Sequence, residues 1–274
     1  MNRLYSERTN AGAINSPSFS LWSDNILFGG VDRSKYNDTL QTFPIVDVSH
    51  LLKAFRINMD GLLVNGSSQA SDTFPLDAHI DTSWFVTYVL KSVAQALWAH
   101  LGNVYAPDKW GRVNFTCSSV SESVTIGFKF GNLNLEFYLH KFIAYDKNVT
   151  ILYDDPSPRV TFDDIGDTCW LTIWESRLEK KELSGERSII LGTNVMSLTY
   201  SVFDFQNDEV SLAKRNWDDS PSDIIEITKD GVPGAKRNGT NKTGAKKNAA
   251  TSTCVGGELG MVVLVAAIIL IMGF

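Results

Sequence analysis

Positive charge is in short supply in this chain of 274 residues, where 25 Lys and Arg stand against 31 Asp and Glu for a formal charge of −6. That balance excludes the electrostatic footprint of a nucleic-acid binder and otherwise speaks to solubility. Histidine is scarcer. His50, His79, His100 and His140 show no metal-ligand spacing to cysteine or carboxylate, so neither a metal nor a cofactor is expected. No glycine loop has the phosphate-cradling pattern. The seven tryptophans form no regular stacking array in the sequence. The opening residues, MNRLYSERTNAGAINSPS, hold no apolar stretch of the kind a secretory leader carries. Cysteine is limited to Cys117, Cys169 and Cys254. Cys254 stands apart at the edge of the C-terminal apolar run, so losing that run leaves one even pair.

What is present is ordinary globular composition, 43% hydrophobic and 20% charged, sufficient to bury a core. Six asparagines head an Asn-x-Ser/Thr glycosylation pattern: Asn37, Asn65, Asn114, Asn148, Asn238 and Asn241. Such patterns arise by chance, but six in one chain point to passage through the secretory lumen, where disulfides persist.

The C-terminal end reads as an address. MVVLVAAIILIMGF (261–274) is uncharged but short of the roughly 20 residues a spanning helix needs. Ten residues upstream lie the small residues Asn248, Ala249 and Ala250. Small residues, a polar spacer and an apolar tail make a GPI-attachment signal, with Asn248 as the expected attachment site and Gly244 or Ser252 as alternatives. A tail-anchor helix is the competing reading of the same segment. Between them, 218–253 contains DDSPSD and GVPGAKRNGTNKTGAKKNAA, too poor in large apolar residues to repay ordering, and is expected to be a disordered polar stalk.

The remainder reads mainly as β-structure. VTIGFKF (124–130) and LNLEFYL (133–139) alternate on either side of Gly131-Asn132, a hairpin signal. ILFGG (26–30) and FPIVDV (43–48) are further strand candidates, and TYSVFDF (199–205) with EVSLAK (209–214) forms a second hairpin. One helix is expected in VLKSVAQALWAHLGN, where Leu90, Val93, Leu97 and Leu101 recur at helical spacing and Gly102 caps the end. Asp81 lies between an apolar strand and this helix.

These segments carry a resemblance. SLWSDNILFGGVDRSKYNDTLQTFPIV resembles the strands after the inter-lobe region of fungal pepsin-like aspartic proteases of the yapsin and candidapepsin type. AHIDTSWFVTYVLKSVAQAL falls where that family has its second Asp-Thr/Ser-Gly-Thr loop and following helix. SIILGTNVMSLTYSVFDFQNDEVSLAKRNW is similar to its closing apolar-apolar-Gly loop and paired strand. The resemblance implies a single pepsin-like C-terminal lobe, mainly β with one or two short helices, over 21–217, preceded by an inter-lobe remnant (1–20) and followed by the stalk and an apolar tail (254–274). It also implies a Cys117–Cys169 disulfide and makes Asp81 the counterpart of the second catalytic aspartate.

Two departures from the family pattern bear on chemistry. No first Asp-Thr-Gly loop and no flap tyrosine occur in the sequence, so the N-terminal lobe is expected to be missing. In the second loop, Thr82 is followed by Ser83 where the family has Gly and by Trp84 where it has Thr. A Cβ at 83 is expected to strain the turn, and an indole cannot accept the hydrogen bond that the threonine takes. The expected function is therefore an aspartic-type endopeptidase of the fungal cell surface, present as a truncated and catalytically impaired lobe. Polypeptide is its substrate once a first lobe is supplied, and membrane attachment runs through GPI or the terminal helix. The alternative is a non-catalytic module binding peptide or wall material, and homodimerisation through Asp81 is a third route that Trp84 disfavours.

Overall fold

The computed structural model describes residues 12, 14–46, 55–102, 104–154, 157–176 and 188–237. In chain order its strands begin with β1 (Ser18–Trp22), β2 (Asn25–Phe28), β3 (Gly30–Asp32), β4 (Gln41–Pro44), β5 (Arg56–Met59), β6 (Gly61–Val64) and β7 (Ser67–Gln69). Then follow β8 (Leu76–Ile80), β9 (Thr87–Val89), β10 (Asn114–Thr116), β11 (Thr125–Phe130), β12 (Leu133–Tyr138), β13 (Ile143–Asp154) and β14 (Ser157–Leu171). The series closes with β15 (Ile173–Glu175), β16 (Ser188–Leu191), β17 (Thr199–Asp204), β18 (Glu209–Lys214), β19 (Ile224–Glu226) and β20 (Lys236–Arg237). Among the described residues two short helices accompany them, α1 (Lys91–Trp98) and α2 (Thr193–Met196). The fold is mainly β, as a pepsin-like lobe requires.

The local signals explain these elements. β11 and β12 pair from Thr125 and Tyr138 inward to Phe130 and Leu133, and Gly131 turns the chain at φ 53°. Alternation puts Ile126, Phe128, Phe130, Leu135 and Phe137 into the core. In α1 Val93 and Leu97 of the expected stripe are buried, as is Leu101 beyond the helix, together with Ala94 and Trp98, and the chain leaves at Gly102, whose φ of 77° suits glycine. Each fully buried Leu or Phe of this core contributes about 1.5–3 kcal/mol. Cys117 and Cys169 are joined, Cys169 fully buried, closing a separation of 52 residues.

A six-stranded sheet, ordered β2-β1-β17-β18-β4-β20, packs one face on this core through Phe19, Phe43, Phe203, Val210 and Leu212. Its other face carries Tyr200, Val202 and Ala213, which belong to a second cluster with Val31 and Leu40. What covers that face differs from the sequence expectation. Residues 218–237, read above as the start of an unpaired stalk, return to the sheet. β19 pairs antiparallel with β3, from Ile224 opposite Asp32 to Glu226 opposite Gly30, Ile227 is fully buried in the second cluster, and β20 lies parallel to β4. The physical reason is local. Ile227, with Val232 and Ala235 beside it, is diluted in a 36-residue compositional window, yet these residues pack against the second cluster. The folded part therefore extends to Arg237 rather than ending at 217. The rest of the stalk and the 254–274 tail lie outside the described residues.

Polar contacts clamp this strap. The buried Asp32 carboxylate accepts the backbone N–H of Asp223 at 2.9 Å and of Ser34 at 3.0 Å, and Arg33 pairs with Asp223 at 3.0 Å. Burial pushes the Asp32 carboxyl up, but the Asp223 N–H and the donors of Ser34 and Ser222 outweigh it, so it ionises below its ordinary range. A carboxyl depressed by folding contributes stability above its unfolded pKa and loses it only as pH falls through the folded value. The clamp thus persists into mild acid. Ile227→Ala is expected to lower stability by about 2–5 kcal/mol, read as a lower urea midpoint with an unchanged slope.

Candidate functional site

β8 is a core strand on one side only. Leu76, Ala78 and Ile80 are buried, while Asp77 and His79 point to the other face with Asp81 continuing the alternation. The five-stranded sheet β15-β9-β16-β8-β5 places β8 parallel to β16. The chain leaves β8 at Asp81, crosses the end of β16 and enters β9 on that strand's far side. The crossing is anchored at each step. Asp81 N–H donates to the Leu191 carbonyl at 3.1 Å, Trp84 N–H to the Asp81 carbonyl at 3.3 Å, and Thr193 N–H to the Trp84 carbonyl at 2.8 Å. Gly192 lies beneath the arch, where an added Cβ would come within 2.2 Å of the Val86 carbonyl oxygen and 2.6 Å of that of Trp84.

The Asp81 carboxylate is half-buried, and Oδ1 accepts both the backbone N–H of Ser83 at 3.0 Å and its hydroxyl at 2.6 Å. Ser83 is not among the residues with positive φ, so the turn takes its Cβ without left-handed strain, contrary to expectation. The hydroxyl instead adds a second donor to the aspartate. Trp84 meets Tyr88 edge-on, with ring centroids 5.2 Å apart. Cross-linking falls to residues that the sequence reading passed over. Thr87 donates its hydroxyl to Asn194 Oδ1 at 2.8 Å and accepts the Gly192 N–H at 3.2 Å, while Asn194 Nδ2 reaches the Thr172 carbonyl at 2.8 Å. Threonines and an asparagine spread over more than 100 residues carry no spacing signal; only the Gly192 segment stood out.

His79 shares the Asp81 face and sits opposite Arg56 across the β5–β8 pair. Burial lowers its pKa below the ordinary 6.5; Asp81 pulls it up and Arg56 pushes it down further. Elsewhere His100 Nε2 lies 3.3 Å from Gln69 Oε1, His140 stacks on Tyr138, and His50 is outside the described residues. Among the described residues no three His, Cys, Asp or Glu side chains converge as metal ligands, and Asp81 bonds no second carboxylate.

The tryptophans do form an array that the sequence hides. Trp84 meets Tyr88, Tyr88 meets Trp174 at 5.9 Å, Trp174 meets Trp170 at 5.9 Å, and Arg112 lies over Trp170 at 5.7 Å. This file starts three residues from Asp81 and runs across β9 and β15 into β14. Trp84 and Phe85 at its head are 39% and 64% exposed.

Of the glycosylation patterns, Asn37 and Asn65 are exposed, Asn114 is half-buried in β10, and Asn148 belongs to β13. Asn238, Asn241 and the expected attachment residue Asn248 lie outside the described residues. Among the described residues no helix is long and apolar enough to cross a membrane.

The family model for eukaryotic aspartyl protease matches residues 1–215. The chain is 27% identical over 240 residues to the probable aspartic-type endopeptidase opsB of Aspergillus fumigatus, covering 82% of this chain and 45% of that protein. It is 30% identical over 241 residues to aspartic proteinase 3 of Saccharomyces cerevisiae, covering 82% and 37% respectively. With aspartic proteinase yapsin-3 of the same yeast it shares 29% over 242 residues, covering 83% and 42%. The chain thus spans less than half the length of these curated relatives.

Proposed function

Since this chain belongs to the eukaryotic aspartyl protease family, we propose that it supplies the second-aspartate lobe of an endopeptidase acting on polypeptides at the fungal cell surface. The observation that carries this reading is the Asp81 turn itself: a carboxylate at a strand end, fixed by two donors from Ser83 and arched over Gly192. Aspartic proteolysis needs two carboxylates that share one proton, one acting as base on a water and the other as acid toward the scissile amide. Asp81 provides one of them. With Oδ1 occupied by Ser83, Oδ2 is the oxygen left for the shared water, and the other aspartate comes from a first lobe. Trp84 impairs the site as it stands, because the indole gives no hydroxyl with which to tie the two loops together.

The test joins this chain to the first lobe of aspartic proteinase 3 and measures cleavage of an unfolded polypeptide at acid pH, about 3–5, where one carboxyl of such a pair is protonated. Pepstatin-sensitive turnover supports the reading; inert protein with a native unfolding profile counts against it. The route to the surface is a secretory one ending in a GPI anchor at Asn248, resting on the tail composition. Release of the native protein from cells by phosphatidylinositol-specific phospholipase is the expected outcome, and full retention defeats it.

A second reading, a non-catalytic module binding wall material, is favoured by the aromatic file from Trp84 to Trp170, since ring faces stack on sugars as well as on peptides. Retention on insoluble wall polysaccharide that is lost in Trp84→Ala, without any turnover, favours this reading over the first.

A further inference from the structure

The glycosylation patterns are not equivalent once folded. Asn65 sits at the tip of the β6–β7 hairpin with φ 48°, exposed, beside Gly66, around whose would-be Cβ nothing lies within 4 Å. Its Oδ1 accepts the Thr125 N–H at 2.9 Å and its own N–H reaches the Thr125 carbonyl at 3.0 Å. The amide is therefore held by its oxygen, while Nδ2, the atom that bears a sugar, makes no hydrogen bond among the described residues. Asn37 is also exposed; its N–H is fixed on the Lys214 carbonyl at 2.9 Å, and Nδ2 makes only a long contact of 3.4 Å to the Arg215 carbonyl. A glycosylated amide keeps one N–H, so that contact survives modification.

Asn114 is the opposite case. It is half-buried in β10 opposite Trp170, its carbonyl takes the Tyr105 N–H at 2.9 Å, and its Oδ1 is buried without a partner among the described residues. A sugar there has to find room on an amide whose oxygen is already buried. The next rung of the β10–β14 ladder, Phe115 with Cys169, is locked by the Cys117–Cys169 bond.

We propose that Asn65 and Asn37 carry N-linked glycans and that Asn114 stays bare. In the transfer, a lipid-pyrophosphate-linked oligosaccharide is the donor. Its anomeric carbon forms a bond to Nδ2, the carbon–oxygen bond to the pyrophosphate breaks, one amide proton is lost, and the lipid pyrophosphate leaves. The Asn65 glycan would stand over β7, the polar outer strand of the β12-β11-β6-β7 sheet, and block edge-to-edge pairing of two copies.

This inference rests on the secretory route proposed above, and its test is separated from that route by supplying a cleavable leader to the full chain in a yeast host. Glycans are removed by peptide-N-glycosidase in heavy-oxygen water, which turns each occupied asparagine into labelled aspartate for mass spectrometry. Label is expected at 65 and 37 and not at 114. On gels, Ser67→Ala and Thr39→Ala each remove one glycan step while keeping the asparagine and its hydrogen bonds; Thr116→Ala removes none. Unlabelled Asn65 or Asn37, or labelled Asn114, overturns the assignment.

Discussion

Gly192→Ala is expected to cost about 3 kcal/mol or more, the upper range for overpacking, because its Cβ would lie 2.2 Å from one carbonyl oxygen and 2.6 Å from another. Its φ of −85° is available to any residue, so the cost comes from close approach and not from backbone conformation. Both obstructing atoms are main-chain, those of Val86 and Trp84, and neither can rotate aside. The arch has to lift, and with it go the Thr193 bond to Trp84 and the Asp81 bond to Leu191. Gly61→Ala is the control: its Cβ meets nothing nearer than the Ser68 hydroxyl at 3.8 Å, and its effect should stay within about 1 kcal/mol. Urea unfolding of the two variants measures the difference. Equal midpoints would show that the Asp81 loop is not built on the Gly192 crossing.

Much of this architecture was legible because it is local. The β11–β12 hairpin follows from alternation and one Gly-Asn step, and α1 from four apolar residues at helical spacing. Asp81 was legible for a different reason: the resemblance fixed its place, since a lone aspartate after a strand is otherwise a turn residue. What stayed hidden depends on contacts distant in sequence. Ile227 looks unremarkable in a polar stretch until Tyr200 and Val202, some 25 residues earlier, present an uncovered face. Thr87, Asn194 and Thr172 tie the site together from three separate segments. The aromatic file draws on Trp84, Tyr88, Trp170 and Trp174, whose order in the chain has no period because β15 pairs in parallel with β9. The fit of Ser83 was equally hidden: its backbone is not in the left-handed region, and its hydroxyl bonds Asp81, neither of which the residue type alone reveals.

Asp81→Asn should lower pepstatin-sensitive turnover of the two-lobed chimera by about 10³-fold, within the range for loss of a proton-transfer group. The substitution is nearly isosteric, and the asparagine Oδ1 can still accept from the Ser83 N–H and hydroxyl that now bind at 3.0 and 2.6 Å. Fold and substrate binding should therefore stay level, and the loss should fall in kcat with KM and the unfolding midpoint unchanged. A parallel fall in stability would mean that Asp81 acts as a turn residue. Trp84→Thr is expected to move the other way. Trp84 contributes only its backbone to the arch, and its indole packs on Tyr88, so a threonine can take the position while restoring a hydroxyl at the junction of the two loops. Better alignment of two carboxylates should raise kcat by about 10–10²-fold, the usual return on correcting a displacement of about 1 Å. If the parent chimera is inert and Trp84→Thr awakens it, the impairment lies in that one indole. If both are inert while Trp84→Ala abolishes retention on wall polysaccharide, the lobe works through its aromatic file and Asp81 is a relic of its ancestry.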